Sequence, residues 1–193
     1  MSEMPSKGLN SGYTMMELVM VIAIAAILAT IGIPSFKYVT TSNRMSGEVN
    51  ALLGDMQFAR SQAIKQGQTV TVCTSTDGAT CAGATVNTWQ GGWIVFLDPN
   101  GNHVVDAGDV VMRVQPAFTG GDAFVASTAT FSYASFNRMG YGPTGSNGVI
   151  NISLHDSTSN TAWTRCLAIN PIGSVITERY GEQKFGTGTT TCS

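Results

Sequence analysis

Charge is scarce in this chain. Of its 193 residues, 11% are Asp, Glu, Lys or Arg, and the formal net charge is −2. Such a balance gives no general attraction to nucleic acid, so DNA contact would need a local basic patch. Histidine is scarcer still. His103 and His155 are the 2 in the chain, both in polar turn-like sequence with no nucleophile motif beside them. No CxxC pair and no clustered His accompany the cysteines, so zinc spacings are absent. The pairs Gly91-Gly92 and Gly120-Gly121 lack the Lys and the following helix of a phosphate-binding loop. No catalytic set emerges, and we expect no enzymatic activity, no metal and no cofactor. There is no internal repeat.

Gly, Ser and Thr are plentiful, the last two especially after residue 68. That mixture suits a β-rich extracytoplasmic domain with many turns. The 4 cysteines, Cys73, Cys81, Cys166 and Cys192, are even in number. Disulfides in an oxidising compartment are the simplest reading. Three connectivities are open, and sequence proximity favours Cys73–Cys81 with Cys166–Cys192. The loop-entropy model gives these bridges roughly 2.6 and 3.6 kcal/mol.

All four cysteines follow a long apolar run. Met15 to Ile33 reads MMELVMVIAIAAILATIGI, with Glu17 as its one charged residue, and it is long enough to span a bilayer as a helix. Its backbone would satisfy itself there without water. A secretory signal would show a shorter apolar run followed by an A-x-A site. Here a short polar leader, MSEMPSKGLNSG, comes first, and no convincing A-x-A site follows. Glu17 is the sharpest feature. A carboxylate at the centre of a spanning helix costs on the order of 2.5–3.5 kcal/mol, and less near an end. Either it snorkels to the interface, or a positive charge meets it on assembly.

The stretch Gly12-Tyr13-Thr14-Met15-Met16-Glu17-Leu18 resembles the class III prepilin signal. The resemblance implies that a prepilin peptidase cuts between Gly12 and Tyr13 and methylates the new N-terminus. Phe is usual at that first mature position, and Tyr13 is an aromatic departure. Glu17 becomes the fifth mature residue, whose carboxylate would neutralise the N-terminal amine of a neighbouring subunit. Pro34 takes the twenty-second mature position, where pilins often carry proline. It removes a backbone donor, and Gly32 loosens the helix beside it.

After Pro34 the pattern becomes amphipathic. Met45, Val49, Leu52, Leu53, Met56, Ala59, Ala63 and Ile64 recur at three- and four-residue steps. Arg44, Glu48, Asp55, Arg60 and Lys65 supply the wet positions, and Gly67 is a C-terminal stop. Strands are expected at Gln68–Thr74, Gly92–Leu97, Val110–Val114, Thr130–Ser135, Val149–Leu154, Arg165–Asn170 and Ser174–Thr177. The expected fold class is α+β. A long N-terminal helix, with a transmembrane half and an amphipathic half, packs on a β-rich antiparallel globular head, as in the pilin fold. The expected segments are a leader at 1–12, a transmembrane half at 13–34, an amphipathic half at 35–66 and a head at 67–193.

Gly91-Gly92-Trp93-Ile94-Val95-Phe96-Leu97-Asp98-Pro99-Asn100 is similar to a signature of the GspH/FimT branch of pilin-like proteins, as is the helix around Leu53–Gln68. The resemblance covers most of the chain to about Val114, then thins. It implies a FimU/FimT-like minor pilin that primes type IV pilus assembly near the tip. A GspH-type minor pseudopilin of a type II secretion system is the alternative. Implied partners are other minor and major pilins or pseudopilins, the prepilin peptidase and, before assembly, the inner membrane. The chain would cross that membrane once with a periplasmic head, then reach the cell surface in the pilus.

A third reading is a FimT-like minor pilin that captures DNA for natural transformation, and that resemblance implies a Gly-Arg-x-Arg motif in the C-terminal part of the head. The matching stretch here is Gly173-Ser174-Val175-Ile176, without either arginine. Arg165, Arg179 and Lys184 form a weak patch offset by Glu178 and Glu182. Asp98, Asn100, Asn102, Asp106 and Asp109 invite a calcium reading. Counted as an EF-hand loop, however, they place His103 where Gly is required and Asp109 where Glu is required. A polar hairpin turn is the reading kept.

Overall fold

The computed structural model describes residues 12–127, 131–142, 148–185 and 192. One helix, α1 (Met15–Gln66), precedes eight strands among the described residues: β1 (Val70–Thr74), β2 (Gly92–Leu97), β3 (Val110–Pro116), β4 (Ala123–Ala126), β5 (Tyr133–Phe136), β6 (Ile150–His155), β7 (Arg165–Ile169) and β8 (Val175–Arg179). The strands form two four-stranded sheets, ordered β3-β2-β1-β5 and β4-β6-β7-β8. Every pairing is antiparallel. The chain divides into two compact units, Met1–Thr41 and Ser42–Ser193.

In the first unit the large apolar side chains of the helix are exposed, Leu18, Ile22, Ile27 and Ile31 among them. Two threonine hydroxyls there turn back onto the helix. Thr30 Oγ1 donates to the Ile27 carbonyl at 2.7 Å, and Thr40 Oγ1 to those of Phe36 and Lys37 at 3.0 Å each. A hydroxyl satisfied in this way presents no free donor to an apolar surrounding.

The second unit owns the core. Met45, Val49, Leu52, Met56, Ala59 and Ala63 recur at alternating steps of four and three, so they line one face of α1, and all are buried. They share one cluster with Val70, Val72 and Val95 of the first sheet and Phe124, Ile152, Leu154 and Leu167 of the second. A smaller cluster of Cys73, Ile94 and Phe96 covers the opposite face of the first sheet. β1 and β2 are therefore buried on both faces, which is why VTVCT and GWIVFL read as near-continuous apolar runs.

Two tryptophans join the layers. Trp89 and Trp93 are fully buried with ring centroids 6.4 Å apart, and Trp93 meets Phe118 edge-on at 5.7 Å. The indole N–H groups of Trp89 and Trp93 both have an acceptor. Trp89 Nε1 donates to the Phe131 carbonyl at 3.3 Å and Trp93 Nε1 to Asp55 Oδ2 at 2.9 Å. The segment before Trp93 also stitches the sheets together. Trp89 N donates to Phe124 O and Ala126 N to Asn87 O, beside a bridge between Thr88 and Val125.

The Gly-Trp signature has a packing cause. Gly92 has φ +101°, and a Cβ there would lie 2.6 Å from the Gln115 carbonyl oxygen of β3. Only a residue without a side chain lets β3 come that close.

The sequence reading is corrected at three points. β4 was not expected. It is four residues long and follows Gly120-Gly121, and its alternating burial becomes apparent only once it lies against β6. β5 starts at Tyr133, later than expected, and Thr130 lies outside the described residues. Asp55, read as a wet position, is buried and accepts both Trp93 and the Arg113 guanidinium, the latter at 2.8 Å. Arg113 reaches it from β3 across the Phe58 ring, 3.7 Å from the centroid. Replacing Asp55 with Ala strands a buried indole donor and a guanidinium. Urea denaturation of Asp55→Ala should show a loss of about 2 kcal/mol.

Candidate functional site

The sequence places the functional weight on the start of α1. Gly12, Tyr13 and Thr14 precede the helix, and Tyr13 is exposed. Residues 1–11 of the expected leader lie outside the described residues. Thr14 caps α1: its Oγ1 accepts the Glu17 N–H at 3.2 Å, while its carbonyl accepts the Leu18 N–H at 3.1 Å. Thr14-Met15-Met16-Glu17 thus has the spacing of a capping box, a signal the sequence reading did not use. Glu17 lies in the first turn, where the helix dipole favours negative charge. It is exposed, and no cation pairs with it among the described residues. Its placement therefore has a local cause, and its carboxylate stays available. α1 continues unbroken through Pro34. By length and composition it could cross a membrane, with a mean hydropathy of 2.5 over its most apolar window and none of that window buried.

The acidic turn after β2 serves its own backbone. Asp98 is fully buried and accepts the Thr71 hydroxyl at 2.7 Å and the amides of Asn102 and His103 at 3.2 and 3.1 Å. Asn100 accepts the Asn102 amide, Asn102 accepts the Val104 amide, and Asp109 accepts the Asp106 amide. Among the described residues, no group of three His, Cys, Asp or Glu side chains is placed to hold a metal.

Tertiary folding brings together one constellation that the sequence reading missed. Ser135, from β5, sits with its Oγ 2.9 Å from His103 Nδ1, and Asp98 Oδ2 lies 3.5 Å from the same nitrogen. A Ser-His-Asp relay needs the serine and the carboxylate on opposite ring nitrogens. Here both approach Nδ1, and the imidazole stacks on Tyr133 at 4.0 Å, so the arrangement pins the turn to the sheet.

Arg165, Arg179 and Lys184 do converge, on a groove of about 400 Å³ shared with Asn50, Glu178 and Glu182. Two of the three side chains are already engaged. Arg165 Nη1 donates to the Ala162 and Thr164 carbonyls at 3.0 and 2.9 Å. Lys184 Nζ donates to the Thr177 carbonyl at 2.9 Å and pairs with Glu182 at 3.3 Å. The Arg179 amide, then Lys184, hold the Glu182 carboxyl below its ordinary range despite a small opposing effect of burial. Three cations stand against two carboxylates, a weak footing for phosphate.

Both disulfides staple this head. Cys73 bonds Cys81 and Cys166 bonds Cys192, each with Cα atoms 5.6 Å apart. The second ties residue 192 to β7, and Gly181 and Glu182 clasp Cys192 through its own carbonyl and amide.

A long apolar N-terminal helix whose later turns pack on antiparallel sheets, beside a disulfide-bound chain end, is the architecture of a type IV pilin-like protein. A family model described as type II transport protein GspH matches residues 48–173, and the chain belongs to this family. That match runs well past Val114, where the resemblance of the sequence thins. Among solved structures, the type IV minor pilin FimU of Pseudomonas aeruginosa PAO1 is similar in two crystal forms. One is 18% identical, covers 78% of this chain and 99% of FimU, and gives a TM-score of 0.50. The other is 17% identical, covers 82% and 99%, and gives 0.53. The likeness at that identity is one of fold. No curated protein matches the chain.

The 26-residue separation of Cys166 and Cys192 is the longer of the two disulfide spans. A Cys192→Ser variant should lose roughly 3.6 kcal/mol in equilibrium unfolding, more than Cys81→Ser loses.

Proposed function

We propose that the chain is a minor pilin of a type IV pilus that helps prime assembly and sits near the pilus tip. The observation that carries this reading is Glu17, an exposed and unpaired carboxylate in the first turn of an apolar helix. The GspH family match and the FimU-like fold support it. The prepilin peptidase cuts after Gly12 and methylates Tyr13. Before assembly the apolar half of α1 crosses the inner membrane once, with the head on the periplasmic side. On assembly Glu17 meets the amine of a neighbouring subunit's Tyr13 or its equivalent. Each group is costly alone in lipid, and pairing offsets part of that cost. Pro34 leaves one backbone carbonyl of the helix without its donor, a weak point where the segment can stretch in the fibre. The partners are other minor and major pilins.

A second reading is a GspH-type minor pseudopilin of a type II secretion system, which the description of the family model favours. Deleting the gene separates the two. Loss of pili and twitching supports the first, and blocked enzyme secretion with intact pili supports the second. DNA capture has weaker support because Arg165 and Lys184 are bonded within the head.

Glu17 could act only as a helix cap, and Glu17→Gln resolves this, because Gln keeps a capping box while removing the charge. We expect Glu17→Gln to abolish incorporation into filaments while leaving the membrane level of the protein unchanged. Wild-type incorporation of Glu17→Gln would sink the charge-pairing mechanism. Mass spectrometry of protein from the native host should find N-methylated Tyr13 as the first residue.

A further inference from the structure

Glu48 and Asp122 meet where α1 faces the segment leading into β4. Asp122 is buried, and its Oδ1 accepts the Arg44 guanidinium at 2.8 Å. Its other oxygen, Oδ2, is buried without a hydrogen-bond donor, and so is Glu48 Oε2. Glu48 lies one helical turn beyond Arg44 on α1, on the side that faces Asp122, and the Asp122 charge acts on it. Gly120 makes room for the cluster, since a Cβ there would lie 3.0 Å from Asp122 Oδ2 and 3.2 Å from Arg44 Nη1.

Ionised carboxylates only accept hydrogen bonds. Two of them side by side repel, and here each has one buried oxygen without a donor. A single proton between them satisfies both oxygens and leaves one negative charge for Arg44. We propose that Glu48 and Asp122 share one proton and that, with Arg44, they form a pH-sensitive latch between α1 and the approach to β4.

The charges around Glu48 agree. Burial, then the Asp122 charge, raise its pKa from 4.5 to about 7, against a smaller opposing pull from Arg44. From the far side Asp156, just beyond β6, also feels Arg44. Burial opposes ionisation of Asp156, but hydrogen bonds from Thr158 and the Asn160 amide outweigh it and keep its pKa low. Asp156 therefore stays charged and does not compete for the proton.

The sign follows from linkage. Glu48 has a folded pKa above its unfolded one, so its contribution is fully present below about pH 4.5 and is lost as pH rises through about 7. Above that the latch carries two negative charges against one guanidinium.

The test uses the full chain in detergent micelles. Wild type and Glu48→Gln are unfolded with urea at pH 5 and pH 8. The amide introduced by Glu48→Gln keeps a donor toward Asp122 at both values. We expect the unfolding equilibrium constant of the wild type to rise roughly tenfold more than that of the variant between the two pH values, one pKa unit after allowance for solvent screening. Equal pH dependence in the two proteins would overturn the latch. If the variant does not fold, the wild-type Glu48 carboxyl carbon, followed by NMR, decides. Titration near neutrality supports the shared proton, and titration below pH 5 refutes it.

Discussion

The buried seam of α1 is the constraint on which the head depends. Met45, Val49, Leu52 and Met56 lie in one cluster with side chains from both sheets, so neither four-stranded sheet has a complete core without the helix. Each such side chain removed from water is worth about 1.5–3 kcal/mol. The seam ends in Ala59 and Ala63, which give the last turns a small-residue surface to bury. Trp89 and Trp93 fill the space between the layers, and because their N–H groups need acceptors they fix Asp55 and the Phe131 carbonyl in turn.

Polar groups inside this head mostly bind its irregular segments. Asp98 and His103 hold the turn after β2 on Thr71 and Ser135. Arg60 on α1 clamps two loops by donating to the Gly140 and Ile172 carbonyls at 2.9 and 3.2 Å. Those loops cross so closely that a Cβ on Gly173, at φ +79°, would lie 2.0 Å from the Gly140 oxygen. At Gly173 the head thus has a crossing point of backbone.

The long-period features of the sequence were legible. An apolar run of spanning length and a three-four repeat announce themselves within a single window. So did most strands, because β1, β2, β6 and β7 carry β-branched or aromatic runs between turn residues. β4 escaped because AFVA is too short to show alternation before β6 supplies its partner. Asp55 was misread for a related reason. Helical periodicity reports which residues are apolar, but not how far around the helix the sheets reach. Here the packing reaches beyond the apolar stripe, burying Asp55 and half-burying Glu48.

By itself the sequence pointed to the class of protein, through Gly12-Tyr13, Glu17 and Pro34 at fixed offsets along one apolar segment and a β-rich stretch with four cysteines after it. These are local facts, carried by spacing along one helix. Only the tertiary structure decided what the head's polar residues do. It turned the acidic loop inward onto Asp98, spent the charge of Arg165 and Lys184 on neighbouring carbonyls, and set Glu48 against Asp122. Those partners lie far apart in the chain, and the energy of a charge is fixed by the groups that burial brings to it, which no local pattern records.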